Sequence, residues 1–264
     1  MNTTFKLLGF GASIVLGSLL AGCGTGSDDN DAKGGASSTG GGGGASNTGG
    51  GGGVTSMGGA ASTTTKLFTF DEDAQDFKLN TTPSDNPMYT NLGSLTPAPT
   101  VAWTESKDSD PAATTKGCLY IAATFTGWNQ SVTVEVSGPV DKNGNPIDLR
   151  KKTLRAQVLL EKGLSPFTMG DAPGGVVFFV KSGSTYTWGQ APWANLQTYG
   201  SWTPVRFNTE NPDTGTVTGW DPSNPVQMGF QISSGGGNTH TAEEFGPPLE
   251  TTVCIDSITV QDNP

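Results

Sequence analysis

From Phe68 onward, apolar residues recur at every second position in short runs, and glycine, proline, asparagine and aspartate separate the runs. Between Ser131 and Ser137, Val132, Val134 and Val136 alternate with polar residues. From Leu154 on, Leu154, Ala156, Val158 and Leu160 fall on one side, and Arg155, Gln157 and Glu161 on the other. Successive side chains of an extended strand point to opposite faces, so this period predicts strands with one buried and one wet face. Phe68 and Phe70 open the series. Cys118 to Phe125, Val176 to Lys181, Trp202 to Phe207, Val226 to Ile232 and Thr252 to Val260 continue it. Lys142-Asn143-Gly144-Asn145 reads as a turn between two of them. Helical periodicity is hard to find anywhere. Many short strands with such breaks predict an antiparallel sandwich or barrel.

The residues before Phe68 follow other rules. Lys6 precedes an apolar stretch, Leu7 to Leu20, which is too short to cross a bilayer of about 30 Å as a helix. It fits the apolar region of an export signal. It ends in Leu20-Ala21-Gly22-Cys23, which resembles the bacterial lipobox. That resemblance implies a signal peptide over 1–22, cleavage before Cys23 and a lipid on that cysteine. The membrane is then met through the N-terminal lipid anchor only. Gly24 stands where an Asp would resemble an inner-membrane retention signal, which favours the outer membrane, on its surface or periplasmic face. Residues 23–65 are low in complexity, with Ala36-Ser37-Ser38-Thr39 and Ala45-Ser46-Asn47-Thr48 each followed by glycines. Such a segment has little apolar surface to set against its ordering entropy, so a disordered tether of roughly 35–40 Å root-mean-square span is predicted. Residues 66–264 remain as one domain.

Charge and cysteines narrow the picture. The net charge is −10. An acidic chain is a poor partner for nucleic acid, whose phosphates need Lys and Arg, and for a second, electrostatic membrane contact. Neutral sugars are indifferent to it. Of three cysteines, Cys118 and Cys254 are left once Cys23 carries lipid. In an exported domain they suggest one disulfide, with two separate buried thiols as the alternative. Signs of catalysis are sparse. His240 is the sole histidine and stands in a Gly/Asn/Thr stretch, and no Gly-x-Ser-x-Gly elbow occurs. Glu161, Glu243 and Glu244 are candidates for glycosidase carboxylates by residue type alone.

One stretch resembles a known family. Phe68-Thr69-Phe70-Asp71-Glu72-Asp73-Ala74-Gln75-Asp76-Phe77 is similar to the opening of jelly-roll carbohydrate-binding modules, and Cys254-Ile255-Asp256-Ser257-Ile258-Thr259-Val260 to their closing strand. Phe178 to Gly183, Tyr186-Thr187-Trp188, Trp193, Leu196, Trp202 and Val226 to Ile232 resemble their central strands. The resemblance implies an all-β, two-sheet antiparallel β-sandwich (jelly roll), a structural calcium and a glycan-binding face. Asp71, Glu72, Asp73 and Asp256 are the oxygen donors that would hold Ca2+, which takes six to eight oxygens.

A polysaccharide site needs flat aromatic surfaces for the C–H faces of sugar rings and amides or charged groups for the hydroxyls. Tyr186, Trp188 and Trp193 form the densest aromatic cluster, in a Gly/Ser/Pro-rich stretch where loops present side chains. Trp128 follows Thr126-Gly127 at a strand end. Arg155, Gln157, Gln227 and Gln231 stand on the polar sides of their strands and are partners for hydroxyls if those sides face the ligand. The expected function is that of a surface-tethered polysaccharide-binding lipoprotein. The alternatives are a structural or adhesion lipoprotein with a protein partner, and a glycoside hydrolase or polysaccharide lyase.

Overall fold

The alternating runs become strands. A computed structural model of the chain describes residues 64–85, 87–105, 108–110, 116–141, 143–163, 174–196, 198–214, 217–236 and 242–263. The signal, Cys23, the tether to residue 63, Lys142 and His240 lie outside those residues. The strands are β1 (Thr64–Phe68), β2 (Lys78–Leu79), β3 (Thr90–Asn91), β4 (Thr100–Thr104), β5 (Cys118–Phe125) and β6 (Gln130–Ser137). They continue with β7 (Lys152–Lys162), β8 (Gly175–Ser182), β9 (Thr187–Gln190), β10 (Trp202–Asn208), β11 (Pro225–Ser233) and β12 (Leu249–Asp262). A 3-10 turn (Leu92–Ser94) and a helix of one turn (Ala242–Phe245) complete the regular structure of the described residues. No helix among those residues is long and apolar enough to cross a membrane.

Two sheets result. Sheet I has the order β10-β7-β12-β5-β4, with β1 on β12; sheet II has β2-β6-β11-β8-β9, with β3 on β6. From β5 to β12 the chain changes sheet at every step except β8 to β9. It thereby lays down β5-β12-β7-β10 against β6-β11-β8-β9, which is the two-sheet antiparallel jelly roll. All pairings between these strands are antiparallel except the short β3–β6 contact.

The expected alternation sets what lies between the sheets. Leu154, Ala156, Val158 and Leu160 of β7 are buried in the core, as are Met228, Phe230 and Ile232 of β11. Phe178 of β8 stacks on Phe230 at 4.6 Å and meets Phe207 of β10 edge-on at 6.3 Å, so rings from both sheets interlock. Burying each such side chain is worth about 2–3 kcal/mol. In β12 the residues that join the core between the sheets are Val253, Ile255, Ile258 and Val260, which breaks the period of two. A register shift between Asp256 and Thr259, with Ser257 at φ 54°, inserts the extra residue that returns Ile258 to the interior.

Cys118 and Cys254 form a disulfide, with Cα atoms 5.6 Å apart. It links β5 to β12 and lies on the far side of sheet I from the core, with Leu159, Tyr120 and Trp202 packed around it. Trp202 therefore opens β10, as its sequence context predicts, but covers the disulfide rather than joining the core between the sheets.

Candidate functional site

The outer face of sheet II carries the side chains that β6, β8, β9 and β11 turn away from the core. Register aligns them in rows. Glu135, Gly229, Phe179 and Gln190 lie across neighbouring strands, and beside them lie Gln227, Lys181 and Trp188. Thr133 faces Gln231 in the next row.

An aromatic stack stands at the centre. Phe179 and Trp188 are parallel within 17°, with ring centroids 3.9 Å apart. The reason lies beneath Phe179. A Cβ on Gly229 would come 2.9 Å from the Phe179 ring and 2.0 Å from the Val134 carbonyl oxygen, so only glycine lets the ring lie against the sheet. Trp188, on the next strand, reaches diagonally over it. The Trp188 indole N–H donates to Gln190 Oε1 at 2.8 Å, which fixes the rotation of the indole.

Two further rings flank the stack. Trp193 is 39% exposed and Tyr89 is 51% exposed. With Trp188, Asn80, Ser131 and Gln231 they line a cleft of about 370 Å³. That is within the range of small-ligand pockets, about 300–1,000 Å³. One wall is the segment between β2 and β3. Asn91 holds it in place, donating through Nδ2 to the carbonyls of Asn80 (3.0 Å) and Thr82 (2.7 Å). Polar groups converge on the floor: Gln231 Nε2 lies 3.3 Å from Thr133 Oγ1 and 3.5 Å from Ser131 Oγ.

Charge on this face is largely self-contained. Lys181 Nζ pairs with Glu135 Oε2 at 2.6 Å, and the two side chains are only 15% and 17% exposed. Nζ also donates to Gln227 Oε1 at 3.0 Å and stands 5.5 Å and 5.9 Å from the Phe179 and Trp188 ring centroids. Glu135 Oε1 accepts from Asn80 Nδ2 at 3.2 Å. Lys78 on β2 is exposed, opposite Glu135.

The residues singled out from sequence divide between the two sheets. Trp188, Trp193, Gln227 and Gln231 come together on the outer face of sheet II. Tyr186 is 56% exposed in the β8–β9 turn, at φ 53°, and is not among the residues lining the cleft. Arg155 and Gln157 stand on the outer face of sheet I, where Gln157 is paired in register with Asp256. Trp128 packs edge-on to Phe245 at 5.2 Å and against the core. Glu161 is on β7, and Glu243 and Glu244 are in the short helix, so none of the three is on the strands of sheet II.

Among the described residues, Asp71, Glu72, Asp73 and Asp256 included, no group of three or more His, Cys, Asp or Glu side chains is placed to hold a metal. Asp73 Oδ1 accepts from the Gln75 backbone N–H, closing the acidic turn. Asp256 is buried on the outer side of sheet I, where Oδ2 accepts from the backbone N–H (2.8 Å) and hydroxyl (2.5 Å) of Ser109. Burial pushes its carboxyl above the ordinary value of 3.8, and the Ser109 hydrogen bonds oppose that rise.

Phe179, Lys181, Glu135, Asn80 and Tyr89 belong to this face without having been singled out from sequence. Phe179 and Lys181 sit in a β-rich run whose two faces are both buried in part, which hides the alternation that would have exposed them. Tyr89 and Asn80 flank strands of two residues, too short for any period to show.

No family model matches the chain, and no curated protein matches it. Solved structures with a similar arrangement include the CBM22-1 xylan-binding domain from Paenibacillus barcinonensis Xyn10C, 12% identical, covering 78% of this chain and 99% of that one, with a TM-score of 0.41. A family 30 carbohydrate-binding module is 13% identical, covers 76% and 89%, and has a TM-score of 0.43. An exo-β-agarase is 13% identical, covers 75% of this chain and 25% of its own, and has a TM-score of 0.42. The likeness is one of architecture, which the strand pairing described above establishes independently.

Proposed function

We propose that this chain binds polysaccharide through the outer face of sheet II, held at the cell surface by a lipid on Cys23. The observation that carries the reading is the Trp188 indole, stacked on Phe179, pinned by Gln190 and set beside exposed Trp193 and Tyr89. Keeping such rings at a surface is costly unless they meet a partner. Sugar rings are suited partners: their C–H faces lie flat on an indole, and their hydroxyls need the amides and hydroxyls of Asn80, Gln227, Gln231 and Thr133. Because the platform is pre-stacked, little side-chain entropy is lost when a chain lies on it.

Binding without cleavage fits the carboxylates of this face. The strands of sheet II carry one, Glu135, and it is already paired with Lys181. Glycosidases use two.

Affinity electrophoresis against mannans, xylans and glucans tests the reading. Retardation by at least one of them is expected, and Trp188→Ala is expected to weaken it by about 30-fold, the loss typical of a central aromatic anchor. Release of reducing sugar would transfer the site to an enzyme. Migration unchanged by every glycan would leave the alternative of a protein partner. The anchor is tested separately: the mature protein should enter the detergent phase on Triton X-114 partition, and Cys23→Ser should move it to the aqueous phase.

A further inference from the structure

Lys181 sits beside the Trp188–Phe179 stack, where an acidic sugar would be expected to find it. A lysine ammonium has three N–H donors and no acceptor. Here one is directed to Glu135 Oε2 at 2.6 Å and one to Gln227 Oε1 at 3.0 Å. The ammonium as a whole faces the two rings at 5.5 Å and 5.9 Å. The charge is thus spent inside the protein. Both partners are largely shielded from water, at 15% and 17% exposure, so their attraction is screened far less than that of a surface pair. Glu135 is held on its other oxygen by Asn80. An incoming carboxylate or sulfate would meet a Lys181 charge already neutralised by Glu135, with two of its three N–H groups bonded, and would face the Glu135 charge at short range.

We infer that the face takes an uncharged polysaccharide chain, and that Glu135 is the specificity-determining residue that excludes anionic ones. This rests on the glycan-binding reading above. Glu135 does so by occupying Lys181; hydroxyl groups, which donate as well as accept, remain able to bond to the amides of Gln227 and Gln231. Lys78, exposed on the edge strand opposite Glu135, adds one cation at the rim, outside the Lys181–Glu135–Gln227 network. Removing the Glu135 charge alone frees Lys181 and leaves Lys78 without its counter-charge across the strand.

The test uses polysaccharides that share a backbone and differ in charge: hydroxyethyl cellulose against carboxymethyl cellulose, and arabinoxylan against glucuronoxylan. Native affinity electrophoresis near neutral pH compares the wild-type domain with Glu135→Gln. The wild type is expected to be retarded by the neutral member of a pair and at least tenfold less by the charged one. Glu135→Gln is expected to keep the neutral binding and to gain about tenfold in affinity for the charged member, the worth of one charge-assisted hydrogen bond, with the gain abolished by added salt. Glu135→Gln with Lys181→Met should lose that gain.

Two results overturn the inference: a wild type retarded equally by both members of a pair, or a folded Glu135→Gln domain that binds the neutral member and gains nothing for the charged one. A wild type that no neutral polysaccharide retards overturns the glycan reading itself, which keeps the two failures apart. Glu135→Thr, matched to Thr133 on the same strand, releases the same charge and carries the test if Glu135→Gln does not fold.

Discussion

The two outer faces of the sandwich belong to strands that pack their other side on one shared core, and they end in opposite conditions. On sheet I the outward residues of β5, β7 and β12 close over themselves. Cys118 and Cys254 are joined, Leu159 and Trp202 cover them, and Asp256 is buried beneath Ser109. A trough of about 670 Å³ lies beside this patch, lined by Tyr120, Ala122, Thr124, Thr252, Leu95 and Pro97. It is the larger hollow, yet Tyr120 is the one aromatic side chain in its lining, and its two charged side chains, Lys162 and Glu250, are paired with each other. On sheet II the outward residues stay open: a pinned indole, two exposed rings, and amides arranged around them. Size thus points to one face and chemistry to the other. A ligand gains from flat apolar surface beside placed polar groups, not from volume, so the smaller cleft is the stronger candidate. One face serves cohesion and the other presentation.

Perturbing each face should therefore move a different observable. The largest effect is expected from Cys118→Ala with Cys254→Ala. The bridge spans 136 residues of sequence, and the chain-entropy model puts the loss at about 5 kcal/mol, with 2–5 kcal/mol usual for native bridges. Urea unfolding should show it, while the Kd of the folded fraction for its glycan stays unchanged. A shifted Kd would mean that the faces are coupled. Next comes Trp188→Ala, at about 2 kcal/mol of binding free energy with stability little altered, read by titration calorimetry and melting. A smaller contrast sharpens the comparison further. Gln231→Ala on sheet II should weaken binding about fivefold, the worth of one hydrogen bond, and Gln157→Ala or Arg155→Ala on sheet I should leave it within error. Equal effects from both sets would break the division of labour.

The subtlest expectation concerns pH. Burial raises the Asp256 carboxyl above 3.8 in the folded state. A group raised in this way supports folding while protonated. Its contribution is full below the unfolded value of 3.8 and is lost as pH rises through the folded one. At neutral pH the buried ionised carboxylate works against the fold. Asp256→Asn keeps an oxygen for Ser109 and removes the charge, so it should raise Tm at pH 7 and by less at pH 4. A Tm gain of the same size at both pH values would show that charge is not the cause.

Much of the architecture was legible in the chain. The runs that became β5, β6, β7, β8, β10, β11 and β12 were visible because alternation reports directly which side chains are buried, and one buried face per strand is what a sandwich requires. The pairing of Cys118 with Cys254 was one of two readings open for the thiols left once Cys23 is read as lipidated, the other being two separate buried thiols, and the structure forms the bridge. The strands β2, β3, β4 and β9 were not seen, being too short or irregular to show a period. The one-turn helix Ala242–Phe245 was missed for the same reason. The candidate site was legible in part. Trp188 and Trp193 stood out by clustering with Tyr186, but Tyr186 lies outside the cleft, Trp128 packs against the core, and Phe179, Glu135 and Lys181 carried no local signal.

What the order of residues determined by itself was the strand content, the acidic balance and the supply of aromatic and amide side chains, because each of these depends on neighbours along the chain. Which polar faces look outward together was decided only by the tertiary structure. Gln157 and Gln231 occupy equivalent places in equally alternating strands, and nothing near either one reveals its sheet. That choice is made by the crossing of β5 to β12 between two layers, where contacts among residues far apart in sequence set the strand order.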